Sequence, residues 1–104
     1  MDIKTYTKMD IVRKVADKLD ISEVRSKAMV ESVIETMTTM LTEDRAQTRI
    51  ELRNFGVFEI KPTKAKPRAR NPRANVEVYV PPRRKVHFKA GKVLRDVLKQ
   101  EWTG

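Results

Sequence analysis

Two stretches in the first half of the chain carry apolar residues at helical spacing. Thr7 and Asp10 have the spacing of a capping box, which marks the start of a helix. The apolar positions that follow recur at i, i+3, i+4 and i+7, namely Val12, Val15, Ala16 and Leu19. Ser22 is a good N-cap residue, and apolar positions continue from there to Leu41. The pattern predicts one amphipathic helix after Thr7 and a second from about residue 23 to the low forties.

The second predicted helix is apolar over two adjacent stripes. One stripe is Met29, Val33, Met37 and Met40, and the other is Val30, Ile34, Met37 and Leu41. A face this wide exceeds what one small neighbour can cover, so it predicts a subunit interface. The simpler alternative is that the methionines fill irregular space in a core.

Residues 49–53 alternate polar and apolar with a period of two, which predicts a strand with one buried face. Turn residues at 54–56 interrupt this pattern, and 57–60 resume it with Phe58 and Ile60 on one face, as in a hairpin. Residues 85–88 predict a short returning strand. After Gly91, four aliphatic positions predict a short last helix: Val93, Leu94, Val97 and Leu98.

The segment 61–82 differs in composition from the rest of the chain. It holds all five prolines and no large aliphatic residue beyond Val76, Val78 and Val80, so it cannot build a core. A disordered loop is the simple interpretation of such a stretch. The spacing by two of these valines, and of four cations, predicts instead a two-stranded ribbon with the cations on one face and its tip near residues 71–75. The four cations are Lys64, Lys66, Arg68 and Arg70.

The charge of the chain is concentrated in and around this ribbon. Residues 61–85 contain nine basic residues against one acid, Glu77, whereas the remaining residues carry 14 basic and 13 acidic side chains. A local charge of +8 indicates a polyanionic partner, which could be nucleic acid, an anionic membrane or an acidic protein. The ribbon has no apolar face of helical period, which disfavours the membrane.

Few residues are suited to catalysis or metal binding. Cysteine is absent, which excludes disulfides, thiolate nucleophiles and cysteine zinc sites. His87 is the single histidine, and its place in a predicted strand favours a structural residue, on the surface or partly buried. No carboxylate cluster of the nuclease type occurs, so we expect no enzyme, no metal and no cofactor. No apolar run has the length of a signal peptide or a membrane span, and we expect a cytoplasmic protein.

Three motifs resemble those of the bacterial HU and integration host factor (IHF) family. Arg70-Asn71-Pro72 is similar to the tip of that family's basic β-arm, 54–59 to its Gly-Phe-Gly-x-Phe-Glu hairpin, and 88–94 to the entry of its last helix. The resemblance covers about residues 7–99. Ala69 replaces the usual glycine before Arg70, and residues 74–76 depart from the usual Thr-Gly-Glu, so the tip and any site preference are expected to differ.

The resemblance implies an α+β fold in one domain, 1–104. Two N-terminal helices, about 7–42, form an intertwined dimer body, and the sheet and DNA-binding arm occupy about 48–88. The arm itself is 61–82, it protrudes from a small antiparallel sheet, and a short C-terminal helix covers about 91–101. The implied dimer core is Val30, Val33, Ile34, Met37, Leu41, Phe55, Phe58 and Phe88. A homodimer is expected, with a heterodimer with a paralogue left open.

The resemblance also implies the function. The arms bind the minor groove of double-stranded DNA, Pro72 acts as a wedge, and the protein bends or wraps DNA with little sequence specificity and compacts the bacterial nucleoid. The implied DNA-binding residues are Arg53, Lys61, Lys64, Lys66, Arg68, Arg70, Asn71, Pro72, Arg73, Arg83, Arg84, Lys85, Lys89, Gly91 and Lys92. A site-specific IHF-like bending subunit and an RNA-binding module are the alternatives. No membrane and no small-molecule substrate are expected as partners.

Overall fold

A computed structural model describes residues 2–71 and 76–104, with side chains described outside 66–77. Its elements, in chain order, are α1 (Lys8–Leu19), α2 (Glu23–Leu41), β1 (Thr48–Leu52), β2 (Gly56–Pro62), β3 (Lys66–Asn71), β4 (Val76–Val80), β5 (Arg84–Ala90) and α3 (Lys92–Leu98). The predicted element order and the α+β class are confirmed. The chain forms two compact units, Met1–Thr39 and Met40–Gly104, and each is described by itself.

In the first unit, α1 begins where the capping pattern predicts. The Asp10 carboxylate accepts hydrogen bonds from the backbone amide of Thr7, at 2.8 Å, and from its hydroxyl, at 3.1 Å. The bond from the Thr7 amide, followed by that from its hydroxyl, holds the pKa of Asp10 below its ordinary value, because both bonds favour the charged carboxylate. The helix ends at Leu19, and its C-cap residue Asp20 has a left-handed φ of 54°; the amide of Ile21 donates to the carbonyl of Ala16 at 3.0 Å.

A buried serine joins α1 to α2. Ser22 caps α2 by accepting the amide of Arg25 at 3.1 Å. One turn later, the Ser26 hydroxyl donates to the carbonyl of Val12 at 2.7 Å, and both residues are fully buried. Ala16 is buried beside them on α1. The core of this unit is therefore small.

The wide apolar face of α2 is largely uncovered in the described chain. Met29, Val33 and Ile34 are 48%, 58% and 44% exposed. Together with α1, this face forms an apolar groove of about 320 Å³ lined by Ile11, Val15, Leu19, Met29, Val30, Val33 and Ile34. Exposing so much aliphatic surface to water is unfavourable. For this reason the sequence pattern predicts a subunit interface on this face.

In the second unit, β1, β2 and β5 form an antiparallel sheet with β2 in the centre. Phe58 lies opposite Ile50 on one side and Phe88 on the other, and Ile60 is 8% exposed. The Phe88 ring lies 4.8 Å from that of Phe58 and 5.5 Å from that of Phe55, between centroids. One face of the sheet is therefore an aromatic and aliphatic surface, as the alternation predicts.

The turn between β1 and β2 is tied to the start of α3. Asn54 adopts a left-handed φ of 71°, and its carbonyl accepts the amide of Val93 at 3.2 Å. The neighbouring carbonyl of Phe55 accepts the amide of Gly91 at 2.7 Å. A Cβ at Gly91 would lie 2.8 Å from backbone atoms of Asn54 and Phe55, so this approach requires glycine.

The last helix is shorter than predicted, ending at Leu98 and not near residue 101. The amide of Gln100 closes a tight turn onto Val97 at 3.3 Å, and Trp102 beyond it is 80% exposed. Without apolar packing, further helical turns gain too little to offset their conformational entropy.

A separate two-stranded antiparallel ribbon, β3–β4, is confirmed, and it brackets the predicted tip: Asn71 lies opposite Val76. The expectation that four cations share one face of the ribbon stays a prediction, on which the backbone bears in two ways. Lys64 lies outside β3, and the register shifts by one residue between Lys66 and Ala69, which changes the alternation within the strand. The shifted segment contains Pro67, which has no amide to donate to the ladder.

Candidate nucleic-acid interface

The face of the three-stranded sheet opposite the phenylalanines carries most of its charge. Strand register places seven charged or titratable residues on it, and we call this surface the charged face: Arg49, Glu51, Glu59, Lys61, Lys85, His87 and Lys89. Leaving the histidine aside, four cations outnumber two carboxylates. Because successive side chains of a strand alternate between faces, the apolar packing of one face fixes this charged set on the other.

Glu59 is at the centre of the charged face and is 6% exposed. Its carboxylate oxygens lie 3.2 Å from the ammonium of Lys61 and 3.3 Å from that of Lys89, with the Arg49 guanidinium at 3.9 Å. The hydrogen bond from Lys61, followed by that from Lys89, lowers the pKa of Glu59 against the opposing effect of desolvation. Two predicted DNA-contacting lysines are thus ion-paired to the same carboxylate.

His87 occupies the same face on β5. It lies directly opposite Glu59 on β2, and its neighbours two residues away along the strand are Lys85 and Lys89. The side chain is exposed, in agreement with the first of the two placements predicted for it.

Reciprocal hydrogen bonds between Thr63 and Arg83 hold the connection between the three-stranded sheet and the ribbon. The amide of Thr63 donates to the carbonyl of Arg83 at 2.6 Å, and the Thr63 hydroxyl accepts the amide of Arg83 at 3.0 Å. These bonds join the two chain segments that enter and leave the ribbon. The side chains of Lys64, Arg83 and Lys85 are exposed around this base, as phosphate-binding residues must be.

Arg84 makes backbone contacts that the sequence did not predict. Its Nη1 atom donates to the carbonyls of Glu43 and Arg45, at 2.6 Å and 2.9 Å. These carbonyls belong to the irregular segment between α2 and β1, so the guanidinium fixes this connection to β5. The residue is otherwise exposed, and its predicted contact with DNA stays a prediction.

The start of α3 differs from the prediction. The Gly91 amide is donated to Phe55, so it serves the turn and is not free to bind a phosphate. Arg53 and Lys92 have exposed side chains on either side of this junction. An open groove of about 250 Å³ is lined here by Arg53, Asn54, Phe55, Val93 and Leu94. The two cations remain candidate phosphate contacts.

The ribbon holds the remaining predicted DNA contacts. Lys66, Arg68, Arg70 and Asn71 lie on the backbone of β3, with Arg70 opposite Glu77. Pro72 and Arg73, the predicted wedge and its neighbour, lie outside the described residues.

The predicted dimer-core residues divide between the two units. Val30, Met37 and Leu41 are half-buried, whereas Val33 and Ile34 are exposed within the described chain. The three phenylalanines form the cluster described above, in which Phe55 and Phe88 are 49% and 38% exposed. Apolar side chains that are grouped and yet half-exposed are typical of an interface, and the dimer itself remains a prediction.

Sequence reasoning missed four residues of the charged face: Arg49, Glu51, Glu59 and His87. Their signal was present, because Lys85, His87 and Lys89 are spaced by two in a predicted strand and Arg49 begins the alternating run. Pairing them across strands required the register, which the sequence does not provide.

Other kinds of site find no support in the described residues. Within 2–71 and 76–104, no group of three or more potential metal-ligating side chains converges on one point. In the same residues, no helix has both the length and the apolar character needed to span a membrane.

The fold and the charged face define a small basic α+β protein suited to a polyanion, and comparison with known proteins agrees. The family model described as bacterial DNA-binding protein matches residues 6–99. The integration host factor subunit alpha of Bartonella tribocorum is 35% identical over 96 residues, which cover 92% of this chain and 86% of that protein. The DNA-binding protein HU of Streptococcus pyogenes is 33% identical over 92 residues, which cover 88% and 97%.

A solved structure shows the same architecture. The chain is similar to Anabaena HU in its cocrystal with DNA, with a TM-score of 0.79, 27% identity and coverage of 92% of this chain and 100% of that one. The chain therefore belongs to the bacterial DNA-binding protein family, of which HU and integration host factor are members.

Proposed function

We propose that this protein is an architectural DNA-binding protein that acts as a homodimer and bends or wraps duplex DNA with little sequence specificity. The ribbon β3–β4 grips the minor groove, Pro72 wedges between base pairs, and the protein compacts the nucleoid in the bacterial cytoplasm. The observation that carries the proposal is the ribbon itself, a pair of strands without a core of its own in a segment of net charge +8.

Electrostatic attraction supplies the affinity in this proposal. The ribbon and the charged face present cations on strands, and no helix with base-reading side chains is required. Phosphate neutralisation releases counterions, so the logarithm of the binding constant falls with the logarithm of salt by about 0.9 for each phosphate neutralised. A gel-shift titration across salt concentrations tests this, and an affinity nearly independent of salt contradicts it.

Pro72 supplies the bend. It follows Arg70 and Asn71 at the end of β3, and a rigid apolar side chain without an amide hydrogen can enter a base step without leaving a donor unpaired. With Pro72→Ala, the DNA straightens while affinity falls less, because the charges remain and unstacking is no longer required. With Lys66→Ala and Arg68→Ala, binding weakens and the salt slope falls by about one unit for each lost phosphate contact.

Energy transfer between the ends of a short labelled duplex, measured at saturating protein, reports the bend separately from affinity. Pro82→Ala is a matched control, because it removes another exposed proline at the base of the ribbon. We expect the wild-type end-to-end distance with Pro82→Ala and a longer one with Pro72→Ala. If Pro72→Ala keeps the wild-type distance, the residue is an ordinary turn proline.

The dimer is supported by the exposed apolar groove of the first unit and by the half-exposed phenylalanine cluster of the second. The native mass should be about twice the chain mass of 12.1 kDa. Unfolding of a dimer depends on protein concentration, so a folded monomer at micromolar concentration with concentration-independent unfolding excludes it.

A site-specific bending subunit is a second candidate, favoured by the 35% identity to an integration host factor alpha subunit. Binding to intact, nicked and four-way-junction DNA with random competitor separates the two functions. Competition between duplex DNA and duplex RNA tests the RNA-binding alternative, since minor-groove insertion suits B-form DNA better than an A-form helix.

A further inference from the structure

His87 is a residue of the charged face that the sequence prediction does not assign to DNA. It is exposed on β5, and within the part of the chain whose side chains are described it makes no side-chain hydrogen bond or ion pair. Its imidazole is therefore available to a ligand that approaches this face.

The groups around His87 are mostly cationic. Along β5 the neighbours on the same face are Lys85 and Lys89. On β2, Glu59 lies directly opposite His87, and Lys61 lies opposite Lys85. Arg49 on β1 lies beyond Glu59 in the same row. An anion that binds the lysines of this face comes within reach of the imidazole between them.

Glu59, the one acid directly opposite, does not already serve as the partner of His87. Its two carboxylate oxygens are occupied by the ammonium groups of Lys61 and Lys89, at 3.2 Å and 3.3 Å. The same contacts hold the pKa of Glu59 below its ordinary value, so this carboxylate stays ionised between pH 5.5 and pH 8. Histidine is the residue type whose charge commonly responds to pH in this range, and proton uptake by a histidine favours contact with an anion.

We propose that His87 is a DNA-phosphate contact that acts in its protonated form, so that DNA binding by this protein strengthens as the pH falls from 8 to 5.5. The inference rests on the proposed DNA-binding function. A phosphate at this face favours the imidazolium, so binding takes up a proton, and by linkage a lower pH favours the complex. An exposed ion pair of this kind strengthens binding by about two- to fivefold for each contact.

The test is the affinity for a short random-sequence duplex at pH 5.5 and pH 8.0, each over a series of salt concentrations, with the full-length protein. His87 is the only histidine, so His87→Gln removes the imidazole without altering another one. His87→Lys supplies a permanent charge at the same position. Lys85→Gln is the matched control, because it removes a fixed charge two residues away on the same exposed strand.

For the wild type, we expect affinity at pH 5.5 to exceed that at pH 8.0 by at least two- to fivefold, and the salt slope to be steeper by about 0.9 for each His87 contact. His87→Gln should lose the differences in affinity and in salt slope between the two pH values. His87→Lys should bind at pH 8.0 as the wild type does at pH 5.5. Lys85→Gln should bind more weakly than the wild type at both pH values and keep the difference in affinity between them. If His87→Gln keeps the wild-type pH dependence, or the wild type has none, the inference is overturned although the protein binds DNA. If the wild type binds DNA at neither pH, the proposed function fails as well.

Discussion

Replacing Glu59 with glutamine perturbs the charged face at its centre. The amide has nearly the same shape as the carboxylate and can still accept a hydrogen bond, so the strand pairing of Glu59 with Arg49 and His87 should persist. What changes is the charge. The ammonium groups of Lys61 and Lys89 lose the carboxylate that lies within 3.3 Å of both. We expect Glu59→Gln to bind DNA more tightly than the wild type.

The size of the effect follows from the two ion pairs. A lysine paired with a carboxylate must give up that partner to bind a phosphate, whereas a lysine beside a glutamine binds it at no such cost. If both lysines gain a phosphate, the salt slope steepens by up to about 1.8 per protomer, at roughly 0.9 for each contact. The affinity should rise by about two- to fivefold for each contact, the range of an exposed ion pair.

Fluorescence anisotropy of a labelled duplex, titrated from low to high salt at pH 7, measures both quantities. Glu51→Gln is the control, because Glu51 is an exposed acid on the same face whose 3.4 Å ion pair is to Arg49 and not to either lysine. It frees one cation, Arg49, and should steepen the slope by at most about 0.9, half of the change expected for Glu59→Gln. An unchanged or shallower slope in Glu59→Gln, with unaltered far-UV circular dichroism, would refute the view that this carboxylate restrains the two lysines.

Three further changes test the structure, each by urea unfolding at a fixed protein concentration. Ser26→Ala removes the buried hydrogen bond to Val12 and should lower the free energy of unfolding by about 1 kcal/mol, and no change would show that this bond adds nothing. Gly56→Ala puts a methyl group 2.5 Å from the Lys89 carbonyl oxygen and should lower the free energy of unfolding by about 1–3 kcal/mol. An unchanged free energy of unfolding would show that β2 and β5 can move apart without cost. Because the pKa of Glu59 is lowered on folding, its stabilisation is present above its ordinary value of 4.5 and is lost below it, so acidification from pH 5.5 to pH 3.5 should destabilise the wild type more than Glu59→Gln. Equal losses would contradict that assignment.

The sequence alone determined the elements and their order. Local chemistry decides them: Thr7 and Ser22 cap helices, period-two alternation marks β1 and β2, and proline-rich composition separates the ribbon from the core. The family resemblance came from short motifs, two of which lie at the β1–β2 turn and at the start of α3, where backbone requirements restrict the residues. These signals act over a few residues, so they can be read without knowing the fold.

Tertiary structure decided which charged side chains remain available. Arg84 and Lys85 are adjacent and both basic, yet Arg84 satisfies two backbone carbonyls of the segment after α2, whereas Lys85 is exposed on the charged face. Likewise, the amide of Gly91 is bound by a carbonyl more than thirty residues earlier in the chain. Contacts between residues so distant in sequence leave no local pattern.

Strand register decided the rest. The two-residue spacing of the ribbon cations predicts one shared face, and that spacing alone gives no sign of the register shift between Lys66 and Ala69. Register also placed Glu59 of β2 between Arg49 of β1 and His87 of β5, a row drawn from three strands. Alternation gives the faces of a single strand, whereas the pairing of strands depends on turns, bulges and apolar packing along the whole sheet, which is why only the folded chain reveals it.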